Sequence, residues 1–257
     1  MISLSLGGPT ESIVQMNAVD SSTYFIGGIM SLHKLTVHDG KPTVEITSDV
    51  SFLSLTGCGV SMNSHQVVAT GDFTGNVFFW RPECQTPIHR LKVSNSVRCL
   101  LWIDDFLLIG CLNSELYRYQ SRANKTDNDD SSDVQTIYFV IGDIVSMATD
   151  SKQEKLALAT TGGYLYMFNI QHVDESNFLE LIEIYSKQIH PPKIQEDGSS
   201  LNMEIWNLAW SPDDQYIATT SEDQTTVISR ALTGCWNITS YLLFFHKNAY
   251  VITIRKT

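Results

Sequence analysis

The chain has 257 residues, 43% of them hydrophobic and 18% charged, which excludes disorder over the whole length and supplies a core for one large or two small domains. Its net charge of −11, from 28 acidic and 17 basic residues, argues against diffuse attraction to phosphate backbones, so no direct contact with nucleic acid is expected. No apolar run approaches the roughly 20 residues of a membrane helix, and Met1 to Gly8 lacks the basic start and long apolar core of a secretory signal; a cytoplasmic or nuclear setting without membrane contact is expected.

In chain order, a doublet of a small polar and a large apolar residue recurs as Gln15-Met16, Ser61-Met62, Cys99-Leu100, Ser146-Met147 and Asn207-Leu208, with cysteine once in the polar place. The apolar members are 46, 38, 47 and 61 residues apart, around the roughly 40 to 45 of a four-stranded blade, with two units enlarged by insertions. Each doublet precedes a short apolar run ending in small residues: Tyr24 to Gly27, Val67 to Gly71, Leu107 to Gly110, Leu156 to Thr160 and Tyr216 to Thr220. Such runs suit a strand buried on both faces. Third strands are expected at Leu32 to Val37, Val77 to Trp80, Glu115 to Tyr119, Tyr164 to Phe168 and Thr225 to Ile228. Outer strands are expected at Val44 to Ile46, Ile88 to Val93, Val134 to Val140 and Phe178 to Tyr185.

The units run approximately over 10–50, 51–94, 95–141, 142–203 and 204–245, with the start of a further unit at 246–257. The polar, acidic Ser121 to Asp133 and the Pro-, Gly- and Ser-bearing His190 to Met203 are expected to be loop insertions, the first disordered and the second a mobile excursion.

The fifth unit, with SPDDQYIATTSEDQTTVIS from Ser211, and the second, with GDFTGNVFFW from Gly71 to Trp80, resemble the WD-repeat β-propeller family. The resemblance covers nearly the whole chain and implies an all-β propeller of four-stranded antiparallel blades. It makes Met16, Met62, Leu100, Met147, Leu208, Trp80 and Asp223 structural repeat positions. Phe245 to Ile254, with His246 in the family's His position, opens a sixth unit and then stops, so an incomplete part of a seven-bladed propeller is expected rather than a closed five-bladed ring.

The departures matter as much. No unit ends in Trp-Asp: Trp80 precedes Arg81, Tyr119 and Phe168 stand in the Trp place, and the fifth unit has Ser229-Arg230. The family's Gly-His dipeptide is absent from the first five units, so its buried network of His, Asp, Ser or Thr and Trp is expected to be incomplete, with aromatic packing doing more of the work.

Reactive chemistry is sparse. The five cysteines are odd in number and form no C-x-x-C pair, and none of the seven histidines sits at metal-ligand spacing, so neither a metal nor a cofactor is expected. Phosphate-loop and nucleophile-elbow motifs are missing, and the pairs Asp104-Asp105, Asp129-Asp130 and Asp213-Asp214 fall in predicted turns. The leading reading is a non-catalytic protein–protein interaction scaffold, a subunit of a multiprotein complex that binds a peptide or partner domain on the propeller face. Arg98 and Trp206, each just before a doublet, and Ser61, Ser146 and Asn207 within doublets, are the expected partner-binding residues. One alternative is a hydrolase or small-ligand binder using the central channel, with Cys99 as its best nucleophile. The other is a truncated product of a longer WD-repeat protein with no independent function.

Overall fold

A strand buried on both faces needs a neighbour on each side, and every apolar second strand of this chain has them. The structure is a computed structural model that describes residues 13–18, 23–28, 32–38, 41–46, 55–60, 67–81, 86–120, 134–173, 178–194, 200–201, 203–223, 225–233 and 236–237. These residues form strands and turns only, as five four-stranded antiparallel sheets and one short hairpin.

The first sheet holds β1 (Ile13–Ala18), β2 (Thr23–Gly28), β3 (Leu32–His38) and β4 (Lys41–Ile46), and the second β5 (Leu55–Val60), β6 (Val68–Asp72), β7 (Asn76–Trp80) and β8 (His89–Lys92). The third holds β9 (Val97–Ile103), β10 (Phe106–Cys111), β11 (Glu115–Gln120) and β12 (Val134–Phe139), and the fourth β13 (Ile144–Thr149), β14 (Lys155–Thr160), β15 (Tyr164–Val173) and β16 (Phe178–Gln188). A hairpin of β17 (Lys193–Ile194) and β18 (Ser200–Leu201) precedes the fifth sheet, β19 (Ile205–Trp210), β20 (Tyr216–Ser221), β21 (Thr226–Arg230) and β22 (Trp236–Asn237). Each four-stranded sheet is a plain meander, with strands neighbouring in sequence order.

The chain divides into two compact units, Met1–Cys111 with Tyr117–Thr136, and Leu112–Leu116 with Ile137–Thr257. In the first, Val77 and Phe79 of the second sheet pack with Leu100, Trp102, Leu107 and Ile109 of the third. In the second, Ala157 and Met167 of the fourth sheet pack with Ile205, Leu208 and Ile217 of the fifth. Leu100, Met147 and Leu208 are all buried, as apolar members of the doublets should be. Within each unit the first strands of neighbouring sheets lie side by side: β1 and β9 against β5, and β13 against β19.

Register fixes where the doublets truly fall. Gln15 pairs with Gly27, Cys99 with Gly110, Ser146 with Ala159 and Asn207 with Thr220. In the second sheet the residue holding that place is Gly57, opposite Gly71, and the next is Cys58, opposite Thr70. Gly57-Cys58, and not Ser61-Met62, is therefore the doublet by register; Ser61 and Met62 themselves lie outside the described residues. A glycine followed by a cysteine is neither polar nor bulky, which is why the pattern hides it. The partner glycine is demanded by packing, since a Cβ on Gly71 would sit 2.3 Å from Val97 Cγ1.

Trp80 shows what the family's tryptophan does in the one sheet that keeps it. Its side chain is fully buried, and its indole N–H donates to Thr70 Oγ1 across β6 and β7 at 2.8 Å. Thr70 is itself buried, so the indole and the hydroxyl satisfy one another.

The insertion between the fourth and fifth sheets is anchored at its ends. Ile189, His190 and Met203 are buried, and the amides of Ile189 and His190 both donate to Gly163 O, at 2.9 and 3.2 Å. Gly163 adopts φ 77°, and a Cβ there would lie 2.1 Å from His190 O, so only glycine fits this close approach. The 121–133 insertion and residues 246–257 lie outside the described residues.

Candidate functional site

The first strands share an irregularity that the sequence does not announce. The ladder slips between Ile13 and Gln15, between Leu55 and Gly57, between Ile144 and Ser146, and between Ile205 and Asn207; in β9 Cys99 faces Gly110 while Val97 faces Cys111. One extra residue is thus bulged out just before each doublet: Val14, Thr56, Arg98, Val145 and Trp206. A bulge takes its residue out of the pairing and re-aims the side chain. Arg98 and Trp206 are therefore equivalent by register. Arg98 is half-buried in its own unit, whereas Trp206 is 46% exposed although the preceding Ile205 is fully buried.

Around Trp206, within the second unit, the polar members of two doublets meet. Ser146 Oγ donates to Asn207 Oδ1 at 2.9 Å and accepts from the Leu208 amide at 3.3 Å, an amide that Asn207 Oδ1 also accepts at 2.8 Å. Further along the same strands the Trp210 indole donates to Ala148 O at 3.0 Å. At the far turn, Asp214, held at φ 56°, accepts from the Ser151 amide and hydroxyl. β13 and β19 are thus stapled at three levels. The leading end that carries Trp206 is rigid, with Glu204 and the exposed Glu222 joined by a 2.9 Å bond from the Glu222 amide to Glu204 O.

Below this end lies a polar cluster that sequence reasoning missed. His190, 1% exposed, places Nε2 at 3.0 Å from Thr219 Oγ1 and Nδ1 at 3.4 Å from Asp223 Oδ2. Asp223 Oδ1 accepts from the Thr225 amide and hydroxyl at 2.8 and 2.6 Å. Burial would raise the Asp223 pKa, but the Thr225 bonds and the neighbouring His190 outweigh it and hold the carboxyl below the ordinary range. Three of the family's four network positions are therefore filled in the fifth sheet. Ser229 takes the Trp place; its hydroxyl is buried and has no hydrogen-bond partner. The expected incompleteness is real at Ser229 and not at the histidine. His190 escaped notice because Ile189, not glycine, precedes it, and because the insertion separates it from the strands it braces.

The second sheet has a counterpart. Asp72, 4% exposed, accepts from the Asn76 side chain and amide at 2.7 and 2.9 Å and from the Thr74 hydroxyl and amide at 2.8 Å each. Burial raises its pKa, and these bonds more than reverse that, leaving it lowered.

Among the doublet side chains that the structure describes, Cys99 is the one thiol, and Ser146 and Asn207 bond each other. Cys99 is buried, and burial first, then the neighbouring Cys111, drives its thiol well above the ordinary range, so at neutral pH it is not the thiolate a nucleophile requires. Iodoacetamide labelling of the native protein followed by peptide mass spectrometry should leave Cys99 unmodified; alkylation at the rate of a free thiol would contradict this. Neutral hydroxyl, amide and indole groups on a rigid frame suit recognition by hydrogen bonding and stacking.

No protein-family model matches the chain. It is 24% identical to Protein HIR2 of Debaryomyces hansenii over 174 residues, which is 66% of this chain and 15% of that protein; the chain thus spans only a small part of the relative's length. Among solved structures it resembles the WD40 β-propeller domain of Doa1, with a TM-score of 0.65 over 92% of this chain and 72% of that one, at 12% identity. Identity that low speaks for the fold. With five meandering four-stranded sheets, a repeated first-strand bulge and two different remnants of the His, Thr, Asp and Trp network, the chain is, in fold, a WD-repeat β-propeller.

Proposed function

We propose that the chain is a non-catalytic protein–protein interaction scaffold that binds a peptide or partner domain at the leading ends of its first strands. The observation that carries the reading is Trp206, a large aromatic left 46% exposed on a bulge between the buried Ile205 and the anchored Asn207. Exposed aromatics on rigid backbone make strong anchors, because they cover much area and lose little freedom on binding. Asn207 and Ser146 supply polar contacts beside it, and Arg98 holds the matching place in the other unit. Ser61 lies outside the described residues and adds no support. The partners are other subunits of a multiprotein complex in the cytoplasm or nucleus.

The test is affinity capture from cells with wild type and Trp206→Ala. An anchor of this kind is worth about 2 kcal/mol or more in binding, roughly a thirtyfold loss of affinity. The variant should keep the wild-type circular dichroism spectrum and a cooperative melt, so that the loss is read as binding and not as unfolding. Retention of the same stoichiometric partners by the variant would overturn the assignment of Trp206, and recovery of no partner by wild type would overturn the scaffold itself.

A further inference from the structure

A second surface, on the last strand of the second sheet, has a chemistry of its own. β8 is the last strand of its sheet, and among the described residues no strand pairs with its outer side. Beside it lies an open cleft of about 650 Å³, lined by Arg90, Leu91, Lys92, Val93, Tyr117 and Val134, within the size range of binding sites.

Alternation along β8 divides its side chains into two sets. Leu91 and Val93 are buried in the core that holds Tyr117, with the half-buried Val134 packed against it. Arg90 and Lys92 are exposed on the opposite face. Arg90 donates to Asn76 Oδ1 at 2.7 Å and lies over the Phe78 ring, and Lys92 donates to Thr74 O; these partners are neutral, and no carboxylate among the described residues forms an ion pair with either cation. On a chain of net charge −11 these two exposed cations stand side by side, and the buried Asp72 reaches them only through Asn76 and Thr74.

We infer that the β8 edge is a docking site for an extended acidic peptide of a partner protein, added as a fifth strand to the second sheet. An added strand would place alternate side chains opposite Arg90 and Lys92, where glutamate or aspartate is favoured, and the intervening ones towards Leu91, Val93 and Val134, where aliphatic groups are favoured. The recognised sequence class is thus acidic and aliphatic residues in alternation. Cations on a short edge strand also guard against pairing with neutral strands. That guard rejects an uncharged or basic strand and admits an acidic one, so the same two residues exclude and select. A nucleic acid fits poorly, because two cations cannot offset the repulsion of a polyanion by the rest of the chain.

The experiment is a fluorescence-anisotropy titration of the intact protein with a short labelled peptide alternating glutamate and valine. Controls are the lysine–valine counterpart, a glutamate–valine peptide N-methylated at alternate amides, and a labelled oligonucleotide. The acidic peptide should bind, the lysine and N-methylated peptides should not, and Arg90→Glu with Lys92→Glu should lower affinity at least about tenfold. Should the double charge reversal fail to fold, as judged by its melting curve, Arg90→Gln with Lys92→Gln replaces it, with a smaller loss expected. Trp206→Ala should leave this binding unchanged, which separates the β8 site from the Trp206 face. The inference is overturned by no binding of the acidic peptide to wild type, undiminished binding to the charge variants, equal binding of the N-methylated or lysine peptide, tighter binding of the oligonucleotide, or dependence on Trp206.

Discussion

Replacing Trp80 with alanine is expected to destabilise the protein by about 3–5 kcal/mol, the range for deleting a fully buried tryptophan. The residue combines two roles that a second substitution can separate. Its ring is fully buried, and its indole N–H satisfies the buried Thr70 hydroxyl at 2.8 Å. Trp80→Phe keeps most of the ring and loses the hydrogen bond, so it should cost about 1–3 kcal/mol, the value of one orphaned buried polar group. Urea denaturation monitored by circular dichroism measures both. A cost for Trp80→Ala below about 1.5 kcal/mol would mean that the second sheet does not depend on the aromatic at all.

The His190 and Asp223 pair should be nearly as sensitive. Removing either side chain takes one partner from the other at a position 1% or 5% exposed, while the Thr225 and Thr219 bonds remain, so each single change should cost about 1–3 kcal/mol. Because the partners share one network, His190→Ala with Asp223→Ala should cost clearly less than the sum of the single changes. Additive costs would show that the contact between Nδ1 and Oδ2 carries no coupling.

The same carboxylate predicts how stability responds to acid. Asp223 and Asp72 both have lowered folded pKa values, so as the pH falls the unfolded chain takes up these protons first. Their stabilising contribution is complete above the ordinary carboxylate value of about 4 and is lost as the pH falls through the lowered folded values. The urea midpoint should therefore drop as the pH falls below about 4, and Asp72→Asn or Asp223→Asn should flatten part of that drop. A midpoint with the same acid dependence in both variants would remove these two carboxylates from the account.

The strands were largely legible in the sequence because burial on both faces writes a continuous apolar run, as in Leu107 to Gly110 or Leu156 to Thr160, and the doublets fixed where most of the meanders start. What the sequence hid depends on backbone geometry or on distance along the chain. Gly57-Cys58 is a doublet only by register, since neither residue has the expected size or polarity. β15 and β16 run to 10 and 11 residues, past the expected ends at Phe168 and Tyr185, because the polar Asn169, Gln171, Ser186 and Lys187 carry no apolar run to mark them as strand. His190 reads as loop because Pro191 and Pro192 follow it, yet its ring braces a turn more than thirty residues ahead. The exposure of Trp206 follows from a bulge, and no property of tryptophan in a strand foretells one.

That bulge recurs at Val14, Thr56, Arg98, Val145 and Trp206, residues that range from valine to arginine and tryptophan on one recurrent backbone detour. A residue excused from the ladder is free to vary without disturbing the strands on either side, so mutation can rewrite these sockets one at a time while the architecture stays put. A repeat that has lost most of its signature can in this way keep its shape and still change the company it keeps.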